Sequence, residues 1–135
     1  MATGQIGTRG TKVGDVLKNE YDPQSGYCRE DVVVTVTAGM EVGAVLESTS
    51  VAGKYTLVTV ATTANADGVL LDESIYAVDQ TSLPADFTLA VLTDGPSQVS
   101  DGALSYGADV DTQPEIDAVI TALVGNTGIK TRPQV

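Results

Sequence analysis

The sequence has no histidine and no tryptophan, and only one cysteine and one phenylalanine among 135 residues. Without histidine, the commonest general base and the commonest metal ligand at neutral pH are missing. A serine nucleophile of the triad kind would then lack its base. Cys28 stands alone, so no disulfide can close within the chain. With no activating base beside it, it reads as a small, half-buried thiol. Paired carboxylates can hydrolyse glycosides, but here the acidic residues are spread along the chain, and so few aromatics leave little with which to stack a sugar. The chain is therefore expected not to be an enzyme. No catalytic residue, no metal ligand and no cofactor is assigned.

Two motifs come close to ligand sites and fall short. The N-terminal glycines Gly4, Gly7, Gly10 and Gly14 follow no strand and precede no Gly-Lys-Ser/Thr, so they do not make a phosphate loop. Asp109-Val110-Asp111-Thr112-Gln113 opens like a calcium loop, but its sixth position is Pro114 where glycine is needed. Asp109 and Asp111 are expected instead to precede a helix and favour its positive end.

Positive charge is scarce over most of the length. The formal net charge is −11, and between Tyr55 and Ile129 there are eleven acidic residues and no Lys or Arg. Such a surface repels nucleic acid and anionic membrane, so neither is expected as a partner. Four of the seven basic residues (Arg9, Lys12, Lys18 and Arg29) lie in the first 29, and Lys130 and Arg132 lie near the end. No stretch approaches the ~20 apolar residues of a membrane span. The start carries no apolar run of signal-peptide length, so synthesis in the cytoplasm of whichever cell makes it is expected.

What the chain does have is β-branched and small apolar residues. Apolar residues make up 42% of the sequence, enough for a globular core. Residues 1–30 differ from the rest. Glycines recur among Thr, Lys and Asn, and Asp22-Pro23-Gln24-Ser25-Gly26 is turn chemistry. This segment is expected to be an extended N-terminal arm. Its sparse large or charged groups Ile6, Arg9, Lys12, Val13, Tyr21, Tyr27 and Arg29 are its candidate partner contacts. The body is expected over 31–135. Val32-Val33-Val34-Thr35-Val36-Thr37 predicts a strand, and shorter runs follow at 44–46, 55–60, 68–71 and 87–92, separated by Gly, Pro, Asn and Asp. Short strands with frequent turns argue for a compact barrel or sandwich. One helix is marked near 113–124. Thr112-Gln113-Pro114-Glu115 fits a capping box, and Ile116, Val119, Ile120 and Leu123 form one face. Gly125 is the expected stop. The fold class is thus mainly β with one short C-terminal helix (α+β).

The order of the body's motifs resembles a known family. Met40-Glu41-Val42-Gly43-Ala44-Val45-Leu46 is followed by Gly53-Lys54-Tyr55, Ala66-Asp67-Gly68-Val69-Leu70-Leu71 and Ala90-Val91-Leu92-Thr93-Asp94-Gly95. The series closes with Ala122-Leu123-Val124-Gly125-Asn126-Thr127-Gly128-Ile129. Over about residues 38–130 this is similar to the head decoration proteins of tailed bacteriophages. The resemblance implies a β-tulip-like barrel with a short helix, assembled as a homotrimer. It implies a virion protein bound to the major capsid protein on the outer surface of the expanded head, acting as cement against internal DNA pressure. It also implies an N-terminal segment that is flexible when free and orders on the capsid by strand addition, although the arm sequence itself departs from the family pattern. No residue is assigned to the trimer interface. The alternatives are another virion component, such as a head-fibre base or tail-tip module, and, from a different class, a hydrolase or carbohydrate-binding module.

Overall fold

The computed structural model describes residues 12–20, 28–49, 51 and 53–132, the side chain of Asn19 excepted. Its centre is a closed barrel of five strands. These are β2 (Arg29–Val36), β3 (Val45–Ser48), β4 (Lys54–Leu57), β5 (Ala66–Leu70) and β6 (Ala85–Leu92). Around the barrel the order is β2-β4-β3-β5-β6, and β6 closes back on β2. The longest ladder is β2 with β6, antiparallel from Arg29↔Leu92 to Val36↔Ala85. The pair β2–β4 is parallel; β3–β4, β3–β5 and β5–β6 are antiparallel.

The β-branched run forms a strand because its alternation suits a half-buried sheet. Val32, Val34 and Val36 point into the core, while Val33 and Thr35 are only half-buried. Leu46, Leu70, Leu89, Val91 and Leu92 fill the interior from the other strands. Each such side chain stabilises the fold by about 1.5–3 kcal/mol, which is what holds strands this short together. Closure also removes most of the free edges that an open sheet would present.

The helix α2 (Gln113–Thr127) is present, with Thr112 as N-cap and Pro114 in its first turn. The Glu115 Oε1 accepts from the Thr112 N–H at 3.1 Å and the Asp111 N–H at 3.2 Å, as the capping box predicts. Val119 and Leu123 are fully buried, and Ile116 and Ile120 half-buried. The helix packs on β5, on the last strand and on a 3-10 helix at Val60–Asn65. It does not stop at Gly125. It continues to Thr127 and ends at Gly128, which takes the left-handed conformation at φ 80° and donates its N–H to the Val124 carbonyl at 3.0 Å. The extra turn is tied down from outside the helix: the Asn126 amide donates to the carbonyls of Ala64 at 3.2 Å and Ala66 at 2.9 Å.

A second, three-stranded sheet was not foreseen. It consists of β1 (Leu17–Glu20), β7 (Ser97–Ser100) and β8 (Ile129–Arg132) in the order β1-β7-β8. The run expected to be a strand over 55–60 is also shorter than its composition implies. It ends at Leu57, because the Val58 N–H turns to the Val45 carbonyl and Thr59 opens the 3-10 helix, its N–H donating to the Thr62 hydroxyl oxygen at 2.9 Å.

Candidate functional site

The segment expected to be an arm divides in two. Residues 1–11 and 21–27 lie outside the described residues, and with them Ile6, Arg9, Tyr21 and Tyr27. Residues 12–20 are folded against the body as a single helical turn, α1 (Val13–Val16), followed by β1. Val16 is fully buried, in contact range of Gly43, and β1 pairs with β7 through Leu17↔Val99 and Glu20↔Ser97. The folded body therefore begins well before residue 31. The sequence signal was Val13, Val16 and Leu17, whose spacing is that of one short apolar turn.

Of the candidate contacts that are described, Lys12 is exposed, and its backbone N–H donates to Asp15 Oδ2 at 2.9 Å. The Val13 side chain packs on the core, and its N–H donates to Glu73 Oε2 at 3.0 Å. Arg29, at the start of β2, is committed within the chain. Its guanidinium makes a two-nitrogen contact with Glu20, with Nε 3.0 Å from Oε2. The Glu20 side chain is only 2% exposed, against 32% for Arg29. Hydrogen bonding to Glu20 raises the Arg29 pKa, against the opposing effect of burial. The pair locks the end of β1 to the start of β2, so Arg29 closes the fold.

The other singled-out residues have structural partners. Cys28 is fully buried, more so than expected, with Sγ 3.6 Å from the Pro96 carbonyl. Asp109 Oδ1 accepts from the Val60 N–H at 3.2 Å and so caps the 3-10 helix. Among the described residues no group of three or more His, Cys, Asp or Glu is placed to hold a metal ion.

Lys54 pairs with Asp86 at 3.0 Å. Asp67 has its pKa raised, chiefly by burial and further by the nearby charges of Asp94 and Glu30, with a Ser48 hydrogen bond acting the other way. Tyr55 beside them is raised by burial and by the same three carboxylates. The Tyr106 hydroxyl is buried without a hydrogen-bond partner, and burial pushes its pKa up to about 12.

Two open surface grooves flank the barrel. One, of about 520 Å³, lies between the 3-10 helix Val60–Asn65 and α2 and is lined by small residues including Ala64, Ala118 and Thr121. The other, of about 450 Å³, lies between β6 (Phe87, Thr88, Leu89) and the excursion that carries Ser74, Val78 and Asp79.

The model of one family, bacteriophage lambda head decoration protein D, matches residues 6–128. The chain belongs to this family of phage head decoration proteins. No curated protein and no solved structure matches it. The match reaches further toward the N-terminus than the likeness read over 38–130. It includes α1, β1 and the positions of Ile6 and Arg9, in the segment that had looked unlike the family. A head decoration protein is a structural component of the virion, not an enzyme.

Sequence reading missed the groove beside β6. Its walls are two Asp-x-Ser/Thr turns that carry a local signal. Asp72 Oδ1 accepts from the N–H and hydroxyl of Ser74 at 3.0 and 2.7 Å, and Asp79 Oδ1 from those of Thr81 at 3.0 and 2.7 Å. Each Asp thereby opens a 3-10 helix, Glu73–Ala77 and Gln80–Ser82.

Proposed function

We propose that this head decoration protein acts as a homotrimer bound to the major capsid protein on the outer surface of the expanded phage head, where it cements the shell against internal DNA pressure. The observation that carries this reading is the family match over residues 6–128. The physical character of the chain supports it. A closed barrel with a packed core resists deformation, as a cement must. Eleven acidic residues without a Lys or Arg between Tyr55 and Ile129 keep free trimers dispersed and suit a solvent-facing side.

The arm supplies capsid contacts through Ile6, Arg9, Tyr21 and Tyr27, while Lys12, Val13 and Arg29 fix where it leaves the body. Ordering an arm costs about 1–2 kcal/mol per residue. Three arms on one trimer offset this, because the first contact raises the effective concentration of the others.

The test mixes purified protein with expanded, undecorated heads. Saturable binding in threes and heads that withstand higher temperature are expected; absence of saturable binding would overturn the reading. Sedimentation should show trimers, and monomers at micromolar concentration would remove that part. Removing residues 1–11 should abolish head binding and leave the trimer. A longer truncation through residue 27 would be uninformative, since it also deletes buried Val16 and β1.

A further inference from the structure

Both cations of the barrel have carboxylate partners: Arg29 is bound to Glu20 and Lys54 to Asp86. The other basic residues described, Lys12, Lys18, Lys130 and Arg132, form no ion pair among the described residues. All four belong to the three-stranded sheet or to the turn α1 and its cap that lead into it. In sequence they come from opposite ends of the chain, and the pairing of β7 with both β1 and β8 brings them together. Lys130 and Arg132 are exposed and stand two apart on β8, so they share a face. Gln98 of β7, opposite Lys130, extends that face with an uncharged amide. Ile129, of the other parity, is fully buried. On β8 itself, β7 occupies one side, and no strand among the described residues pairs with the other. Lys18 is exposed at the bulge of β1, where its Nζ donates to the Gly14 carbonyl at 3.1 Å. With Asp15 and Asp101 counted against these four cations, the sheet keeps a positive balance in a chain of net charge −11.

We propose that the exposed face of β8, with Lys130 and Arg132, docks on an acidic protein surface, the outer side of the shell beside the arm's attachment. The inference rests on the capsid reading above and adds a body contact to it. Two observations select this occupant. The first is charge: two adjacent cations without a carboxylate partner complement an acidic patch. The second is continuity. The segment proposed to contact the shell joins the body at Lys12, and the turn that follows packs on β7, the strand that carries β8. A chain of net charge −11 is repelled by an acidic surface in most orientations. At about 0.1 M salt, charges are screened beyond about 10 Å, so a surface close to β8 meets Lys130 and Arg132 ahead of the carboxylates of the barrel. The face therefore sets the orientation of approach and turns the acidic barrel outward.

The test measures binding of the full chain to expanded, undecorated heads between about 50 and 300 mM salt. The parent should bind more weakly as salt rises. At low salt Lys130→Glu/Arg132→Glu should bind at least about tenfold more weakly, and its affinity should rise with salt, because only repulsion is left to screen. Both positions are exposed, so the melting temperature and the sedimentation of the variant should match the parent's. Lys130→Glu alone is compared with Lys54→Glu, which has the same net charge but lies on the barrel; only the first should weaken binding. A parent that does not bind heads removes the capsid reading and this inference together. A parent that binds, with a double variant of equal affinity and equal salt response, overturns the docking face alone. Equal losses in the two single variants would overturn it by assigning the effect to total charge. Loss of the parent's assembly in the double variant would overturn it by assigning the face to contact between copies.

Discussion

The contact between Arg29 and Glu20 offers the sharpest test of how the N-terminal segment is joined to the barrel. Replacing Arg29 with Met keeps an aliphatic stem of similar reach and removes the cation. It leaves the Glu20 carboxylate, 2% exposed, without its partner. Breaking a fully buried pair in this way costs about 3–5 kcal/mol, and breaking an exposed one about 0–1. The Arg29 side chain is 32% exposed, so water screens one end of the contact, and a loss of about 2 kcal/mol is expected. For a domain between the size classes for which such conversions are known, that is roughly 6–10 °C in Tm. Urea denaturation of Arg29→Met, Glu20→Met and the double variant completes a cycle. The double variant should recover most of the loss, because it leaves no buried charge behind. If Arg29→Met costs less than about 0.5 kcal/mol, or the double variant costs the sum of the singles, the pair is not holding β1 to β2. Unchanged stability combined with weakened head binding would return Arg29 to the role of an external contact.

Two further outcomes follow from the same structure. Gly43→Ala should destabilise by about 2–5 kcal/mol, combining the cost of the left-handed conformation with overpacking, since at φ 96° its Cβ would lie 2.5 Å from the Ala103 carbonyl oxygen and 3.0 Å from Val16; a Tm within 2 °C of the parent would refute that contact. Asp67→Asn should raise Tm at pH 7: an acid whose folded pKa is raised, here chiefly by burial and then by Asp94 and Glu30, costs stability while charged and ceases to as pH falls through that pKa. The advantage over the parent should vanish near pH 3, and an advantage independent of pH would show that charge is not the cause.

The parts of the fold that were legible in the sequence are those whose signal is local. The run Val32–Val36 carries its own alternation, and Thr112 with Glu115 carries its own cap. The end of α2 was misplaced because a single glycine costs a helix only about 1 kcal/mol, and the helix runs through Gly125 to Thr127. What extends the helix is Asn126, reaching carbonyls some 60 residues away in sequence. The sheet β1-β7-β8 gave no warning for the same reason. Ser97-Gln98-Val99-Ser100 is polar apart from Val99, and its partners are drawn from both ends of the chain. Candidate contacts chosen by composition met a similar limit. Val13 and Arg29 looked available because nothing adjacent in sequence engages them; Glu73 and Glu20 do.

By itself, the sequence determined the β-rich class, the well-capped C-terminal helix, the acidic middle and, through the order of its glycine-aliphatic motifs, the family. Those are properties of residue types and short spacings. Only the tertiary structure decided where the body begins, that the barrel closes through β2 and β6, and that Arg29 is bound to a buried carboxylate. Each of these depends on which distant segments meet. Pairing across long stretches of chain is fixed by the shared core they bury together, which no local pattern encodes.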